Sequence, residues 1–335
     1  MSAMGEMEKL GATFHDPAGK TVDATTSLAG FGANCVRLRL FVAPDHNRFV
    51  VNDLATTVAL AKRAKGAHQT LMLDFHYSDT WADPSHQIIP AAWKDHTPEA
   101  LAQQIEAHTF DSLTALAKAG LLPDLVQIGN EIDNGLLWPV GQLYKEKGKP
   151  ADWDTLAFLL KAGARGARRA TPAGSRIRII VHTASGGNPA RTNTFFEAMK
   201  QRDLDYDVVG LSYYPWWHGA IGGLRENVRD VVNRFGKEVM VVETAYPWNE
   251  AGPKKSDDAK DDPFAWPRTR DGQAAFLRDV ADAVAGAPGG KGIGVLWWHP
   301  DSVARPGARV WMNGACALWG PDGGALPAAA VFKTR

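Results

Sequence analysis

Two glutamates stand directly after short apolar runs of the chain. Glu131 follows LVQIGN, and Glu243 follows VMVV. If both runs are parallel strands, both carboxyl groups lie at the same end of a sheet, where such folds carry their chemistry. Two carboxyl groups suit glycoside hydrolysis, because one protonates the leaving oxygen while the other attacks the anomeric carbon, and we expect a separation of about 5 Å. The alternative is that each glutamate only pairs with an arginine at a strand end.

Polar neighbours of these runs are further candidates. Asn130 can donate to a sugar hydroxyl, although asparagine is also a common turn residue. Arg37 and Arg39 alternate with apolar residues, so both guanidinium groups point to one face of their strand. If that face is interior, we expect Arg39 to bond to Glu243. The alternative for Arg39 is an outward pair with a helix carboxylate.

The two carboxyl groups need different proton occupancies. We expect Glu131 to have the higher pKa, because it feels the negative charge of Glu243. We expect Arg39 and Tyr214 to hold Glu243 in its ionised form.

Histidines and tryptophans also fall near the ends of apolar runs. The histidines form no HxH or HExxH pattern, so we predict no metal site and no cofactor, with a metal-dependent hydrolase as the alternative. They are His76, His182, His218 and His299. The tryptophans can stack on sugar rings or cap the core. They are Trp81, Trp138, Trp217 and Trp298.

The elements that position these residues alternate between strand-like and helix-like segments, which predicts repeated βα units and a parallel sheet. The predicted strands are Val36–Val42, Thr70–Phe75, Leu125–Ile128, Ile177–His182, Val208–Ser212, Val239–Glu243 and Ile293–Trp297. The predicted helices are Leu54–Lys65, Leu101–Ala119, Leu156–Ala170, Leu224–Phe235 and Gln273–Ala285. We predict one α/β domain over residues 1–335, a (β/α)8 TIM barrel whose first strand is missing.

The segment before Cys35 shows only a hairpin, ATFHD-PAG-KTVD, in place of the eighth strand. Seven strands leave two sheet edges unpaired, so we expect no ladder between the first and last visible strands. We also expect the natural product to extend upstream of Met1. The polar stretch 250–262 is predicted to be one long loop.

Composition limits the partners. The chain has 335 residues, 45% of them apolar, so it can bury a large core. Lys plus Arg and Asp plus Glu both number 37, which predicts neither nucleic-acid nor membrane binding and favours a neutral ligand. Two distant cysteines, Cys35 and Cys316, are expected to be buried thiols.

The motifs resemble glycoside hydrolase family 53, the arabinogalactan endo-β-1,4-galactanases, in order and through most of the chain. The segments are MEKLGATFHD, VRLRLFVAP, DFHYSDTWADP, GNEIDNGLLWP, GLSYYPWWHG and VVETAYPW. The resemblance implies retaining endo-hydrolysis of β-1,4-galactosidic bonds in the (arabino)galactan side chains of pectin. It implies that Glu131 is the acid/base and Glu243 the nucleophile.

The resemblance and the strand-end positions together give the candidate substrate-binding residues. These are Arg39, His76, Asp79, Trp81, Asp83, Asn130, His182, Tyr214, Trp217 and Trp298. We expect a monomer. Family members are usually secreted, which implies a secreted or periplasmic enzyme, although the start MSAMGEMEKL lacks the apolar core of a signal peptide. Some bacterial members hold calcium in the last βα loop, but no acidic cluster follows Asp301 here.

The chain departs from the family pattern at three places. His299 stands where the family usually has glutamate, Asn188 stands where an acidic residue is common, and the opening Gly-Ala-Asp strand is absent. Two other functions therefore stay open. A related barrel endo-glycanase would act on glucan, mannan or xylan. A catalytically impaired sugar-binding protein would retain galactan in a native gel without releasing product.

Overall fold

A computed structural model describes residues 1–253, 264–306 and 310–334. Most of the predicted loop 250–262 lies outside these ranges. Seven parallel strands form one curled sheet. In chain order they are β1 (Cys35–Leu40), β2 (Thr70–Phe75), β3 (Leu125–Ile128), β4 (Arg178–Thr183), β5 (Val208–Tyr213), β6 (Glu238–Thr244) and β7 (Gly292–Trp297). Their order in the sheet follows the chain, which confirms the predicted barrel with one strand position open.

Helices connect the strands. They are α1 (Met4–Lys9), α2 (Ala24–Gly30), α3 (Leu54–Gly66), α4 (Pro98–Lys118), α5 (Trp153–Ala170), α6 (Pro189–Lys200), α7 (Pro215–His218), α8 (Ile221–Phe235) and α9 (Arg270–Ala285). Short 3-10 turns are Ala91–Trp93, Pro288–Gly290, Trp311–Gly314 and Pro327–Thr334. Two small hairpins pair Phe14–His15 with Thr21–Val22, as predicted, and Gly135–Leu136 with Gly141–Gln142. No helix among the described residues has the length and apolarity needed to cross a membrane.

Side-chain caps explain why the long helices begin where they do. Asp53 and Thr97 accept from the backbone N–H groups of the first turns of α3 and α4.

The sequence analysis missed helix α6, because its apolar residues are few and its first turn is polar. Asn188 caps it by accepting from the N–H of Arg191, and Pro189 takes the first helical position.

The sheet has two apolar sides. Its outer face packs on the helices in one large core that includes residues from Met4 to Val331. Its concave face holds a smaller cluster, which consists of Met72, Leu125, Ile180, Val208, Met240, Val242 and Leu296. This inner cluster fills the bottom of the curled sheet, so polar side chains one layer higher are held away from bulk water.

A β-bulge in β6 sets the direction of Glu243. Val241 pairs with Leu211 of β5, but the next register pair is Glu243 with Ser212, so Val242 is the extra residue. Side chains of a strand otherwise alternate between faces, which would place Val242 inside and Glu243 outside. The bulge lets both face inward, because it shifts the alternation by one residue.

The position of the eighth strand is a gap between β1 and β7. Over the described residues no ladder joins these two strands, which confirms the expected open sheet. A cavity of about 250 Å³ lies there, with Val36, Ile293 and Val295 in its wall. Ser2 fills part of the edge, since its Oγ accepts from the Arg39 N–H at 3.0 Å.

The gap also affects the burial that was predicted for the two cysteines. Both are free thiols, and Cys316 is buried as expected. Cys35 is only half-buried, so that part of the prediction is wrong. The physical reason is that Cys35 begins the edge strand β1 and lines the cavity, where no strand covers it.

Candidate active site

A cleft of about 960 Å³ opens at the carboxyl ends of the strands. Both candidate catalytic residues, Glu131 and Glu243, line it. Other lining residues predicted from the sequence are Asp79, Trp81, Asp83, Asn130, Tyr214, Trp217 and Trp298. The strand-end positions of these residues, spread over most of the chain, therefore converge on one concave surface.

Glu243 is held by one cation and one phenol. Arg37 donates from Nη1 to Oε1 of Glu243 at 2.8 Å, and Tyr214 donates its hydroxyl to Oε2 at 3.0 Å. Glu243 is only 3% exposed, so these bonds form in a water-poor environment. Burial and the charge of Glu243 raise the pKa of Tyr214 well above its ordinary value, so Tyr214 stays a donor.

Arg37 is shared between two carboxylates. Its Nη2 lies 2.9 Å from Oδ2 of Asp74, while Nη1 contacts Glu243. Burial alone raises the pKa of a carboxyl, but Arg37 and His76 hold the pKa of Asp74 below its ordinary value. Gln127 accepts from Arg37 Nε at 3.2 Å and donates to Asp74 Oδ1 at 2.6 Å, which fixes the guanidinium plane.

The predicted contact of Arg39 with Glu243 is wrong. Arg39 instead donates to Asn52 at 3.2 Å, lies 3.3 Å from Nε2 of His299, and stacks over Trp81 with 3.8 Å to the ring centroid. The face of the strand was predicted correctly, since Arg39 is 3% exposed and interior. Its guanidinium turns toward the open side of the sheet, whereas Arg37, one layer lower, reaches across to β6.

His299 is neutral and accepts a hydrogen bond from Arg39. Burial and the charge of Arg39 lower the pKa of His299 well below its ordinary value. Because Arg39 can only donate, Nε2 of His299 is the acceptor and Nδ1 carries the proton that points to Ser302 Oγ at 3.0 Å. The histidine thus orients Arg39 without adding a negative charge at this position.

Glu131 is held differently from Glu243. Its backbone φ is 49°, a left-handed conformation that aims the side chain from the loop after β3 into the cleft. Its N–H donates to Nδ1 of His182 at 3.3 Å, and Ser212 Oγ donates to Oε1 of Glu131 at 2.6 Å. Nε2 of His182 lies 2.8 Å from the same Ser212 oxygen, so His182 orients the hydroxyl.

The two carboxyl groups differ in their charge environments. Burial and the negative charge of Glu243 raise the pKa of Glu131 well above its ordinary value. Burial also raises the pKa of Glu243, but Arg37 and the Tyr214 hydroxyl oppose the rise. Among the described residues, the Ser212 hydroxyl is the one close donor to the Glu131 carboxyl. The site therefore favours a proton on Glu131 and a charge on Glu243.

Aromatic rings form the walls of the cleft. Trp81 and Trp298 meet edge to face with 6.0 Å between their centroids, and Trp217 is 60% exposed beside Tyr214. Asp79 and Asp83 line the cleft, but both oxygens of Asp79 accept from backbone N–H groups of two different loops. Indole faces are suited to stacking on the apolar faces of sugar rings.

Three of the candidate substrate-binding residues, Arg39, His76 and His182, are buried behind the cleft wall. Trp138 does not line the cleft either, and it donates its Nε1 to the Asn134 carbonyl. His76 accepts from the Ala82 N–H at Nδ1, so its Nε2–H donates to Asp74. Arg39, His76 and His182 thus contact the cleft residues Trp81, Ala82 and Glu131 from behind the wall.

The histidines do not converge on a metal position. His218 accepts from the Tyr214 N–H, while the other three bond to the partners given above. In the parts of the chain that the structure describes, no group of three or more His, Cys, Asp or Glu side chains could hold a metal ion.

The sequence analysis missed Asp74, Gln127 and Ser212 as functional residues, and of its two candidate arginines it chose Arg39 where the structure has Arg37 in contact with Glu243. Asp74 and Gln127 carry a signal, because each is a polar residue inside an otherwise apolar strand. A buried polar side chain needs partners, and these two find Arg37. Ser212 gives a weaker signal, since serine is common at strand ends and its role depends on the register between β5 and β6.

Comparisons with known proteins agree with this geometry. Residues 1–332 match the family model described as glycosyl hydrolase family 53. An arabinogalactan endo-β-1,4-galactanase of Cellvibrio japonicus is 36% identical over 324 residues, covering 94% of this chain and 82% of that protein.

Two solved structures are similar in three dimensions. A fungal β-1,4-galactanase structure superposes with a TM-score of 0.86 at 32% identity, covering 100% of this chain and 97% of that one. The family 53 catalytic domain of Ignisphaera aggregans also gives 0.86, at 30% identity, covering 98% and 93%. This chain therefore belongs to glycosyl hydrolase family 53 and is a glycoside hydrolase.

Proposed function

We propose that this protein is a retaining endo-β-1,4-galactanase, with Glu131 as acid/base and Glu243 as nucleophile. The observation that carries the proposal is the unequal hydrogen bonding of two carboxyl groups in one cleft, a buried one at Glu243 and a half-buried one at Glu131. Glu243 receives bonds from Arg37 and Tyr214, whereas among the described residues one hydroxyl, that of Ser212, donates to the Glu131 carboxyl. An ionised and a protonated carboxyl are the two forms that a retaining glycosidase needs at the same pH.

The reaction follows from these protonation states. The Glu243 carboxylate attacks the anomeric carbon while Glu131 gives its proton to the departing glycosidic oxygen, which leaves a glycosyl ester on Glu243. Glu131, now a carboxylate, takes a proton from a water molecule as the water oxygen bonds to the anomeric carbon, which breaks the bond to Glu243 and frees its carboxylate. Tyr214 and Arg37 contact the Glu243 carboxyl group, which loses its negative charge in the first step and regains it in the second.

The substrate we propose is the β-1,4-galactan side chain of pectin. Its support is the family membership, together with relatives that carry the name arabinogalactan endo-β-1,4-galactanase. The broad cleft with aromatic walls fits an internal stretch of a neutral polymer. Because this polymer is too large to cross a membrane, we propose action outside the cell. We propose a monomer, since one chain supplies the whole cleft.

The test is a reducing-sugar assay on galactan, cellulose, mannan and xylan. We expect release from galactan alone, with shortening of the polymer from the first minutes, as endo-cleavage requires. NMR of the fresh product should show the β-anomer first, because two displacements retain configuration. An initial α-anomer would mean an inverting enzyme and a different role for Glu243. Binding to galactan without product release would identify a sugar-binding protein.

A further inference from the structure

A second pocket, of about 350 Å³, lies beyond Glu131 on the same loop. We call it the outer pocket, and it is lined mainly by Asp133, Asn134, Tyr144, Trp153, Arg191 and Phe195. Its size falls within the range of about 300 to 1,000 Å³ that small-molecule sites occupy. Two residues of chain span at most about 7 Å, so Asp133 lies close to the point where Glu131 acts.

The polar side of the outer pocket is an ion pair between a buried carboxylate and a half-exposed guanidinium. Asp133 is 5% exposed, and its Oδ2 accepts from the Ala184 N–H at 2.6 Å. Its Oδ1 pairs with Arg191 Nε at 3.3 Å, and the Asp133 side chain is only 1% exposed. Asp133 therefore holds Arg191 at the wall of the pocket and does not itself reach a ligand.

Arg191 and Asn134 add further polar groups. Arg191 Nη2 donates to Asn134 Oδ1 at 3.3 Å, and the side chain of Arg191 is 46% exposed, which leaves guanidinium donors free for a ligand. A guanidinium carries several N–H donors in one plane. Neighbouring oxygens of a sugar ring are matching acceptors.

The apolar side of the outer pocket is aromatic. Trp153 is half-buried and meets Phe195 edge to face, with 5.7 Å between centroids and 80° between planes. Tyr144 is 53% exposed at the rim. Aromatic rings are apolar platforms with a polar tip, and they stack on the C–H faces of pyranose rings.

We propose that the outer pocket binds a hexopyranose unit of the substrate, as a subsite on the leaving-group side of Glu131. Arg191, held in place by Asp133, donates to sugar oxygens, and Tyr144 and Trp153 contact the ring. The side follows from the proposed function, because the acid/base residue stands next to the departing part of the chain. The outer pocket thus extends the cleft for long chains and leaves short substrates unaffected.

The experiment compares Tyr144→Ala with the matched control Phe158→Ala, an exposed ring on α5 that is 40% accessible and outside the pocket lining. For Tyr144→Ala we expect kcat/KM on galactan to fall about tenfold, mainly through KM, as loss of about 1.4 kcal/mol of binding implies. On an aryl β-galactobioside, whose leaving group does not reach the outer pocket, both variants should equal the wild type. Thermal melting checks that each variant folds.

If the wild type cleaves galactan and Tyr144→Ala cleaves it with unchanged kinetics, the outer subsite is overturned and the proposed function stands. Arg191→Lys is a second test, because lysine keeps the positive charge but lacks the planar guanidinium group. The KM of this variant for galactan should also rise. If the wild type cleaves no galactan, the proposed function fails. Retardation of the protein in a galactan native gel then tests whether the outer pocket binds galactan. Weaker retardation of Tyr144→Ala supports the subsite, and equal or absent retardation overturns it.

Discussion

Arg37 donates to Glu243 at 2.8 Å although the two residues are 206 positions apart in the chain. Both side chains are almost fully buried, and the bond crosses the concave face of the sheet from β1 to β6. Arg37 also contacts Asp74 at 2.9 Å, so one cation stands between two carboxylates. Burial raises the pKa of Glu243, and Arg37 opposes that rise.

Glu243→Gln should abolish hydrolysis. The amide cannot form the glycosyl ester, so we expect kcat on galactan to fall by at least about a thousandfold, as loss of a nucleophile does in other hydrolases. Retardation in a galactan native gel should persist. Glu238→Gln, at the other end of β6 and paired with Arg178, is the matched control and should keep its activity. If the Glu243→Gln variant kept a substantial part of the normal rate, another residue would be the nucleophile.

Arg37→Lys should shift the acid limb of the pH–activity profile. Arg37 lowers the pKa of Glu243, and lysine cannot contact Glu243 and Asp74 as a planar fork, so the pKa of Glu243 should rise. Ionised Glu243 then requires a higher pH, and the acid limb of kcat should move upward. The measurement is kcat on galactan from acidic to mildly alkaline pH. Arg39→Lys is the comparison, and an equal shift in that variant would contradict the assignment of Arg37.

Ser212→Ala should move the basic limb. The Ser212 hydroxyl bonds to Glu131 and lowers its pKa, so removing it raises that pKa further. Activity requires protonated Glu131, and the basic limb of kcat/KM should therefore move to higher pH, with a rate loss of about 10-fold. Thr183→Ser, a neighbouring buried hydroxyl bonded to Ser185, serves as the control. An unchanged basic limb would mean that another group titrates there.

Glu131→Gln should stabilise the fold at neutral pH. The folded pKa of Glu131 is raised, so its contribution to stability is fully present below the unfolded pKa and is lost as pH rises through the folded pKa. Glutamine carries no charge and escapes this loss. We expect Tm near neutral pH to rise by about 2 to 4 °C. Below the unfolded pKa of glutamate the two proteins should melt together, and a gain that did not depend on pH would exclude this explanation.

The sequence by itself determined the alternation of strands and helices, because seven β-branched runs separated by amphipathic segments have few other ways to bury their apolar faces. Bounds of β2 and β3 were predicted to the residue. Glu131 and Glu243 were identified for the same reason, since a carboxylate directly after a buried strand must lie at its carboxyl end. Helix α6 was missed because its cap, Asn188, satisfies the first turn without an apolar pattern.

Tertiary structure alone decided which side chains meet. Alternation put Arg37 and Arg39 on one face, but their reach depends on the curl of the sheet and on the gap beside β7, which draws Arg39 toward His299. The bulge at Val242, invisible in VMVVE, turns Glu243 inward where strict alternation points it out. Local sequence sets the direction of a side chain relative to its own strand, whereas contacts across a barrel depend on register, and register is a property of neighbouring strands together.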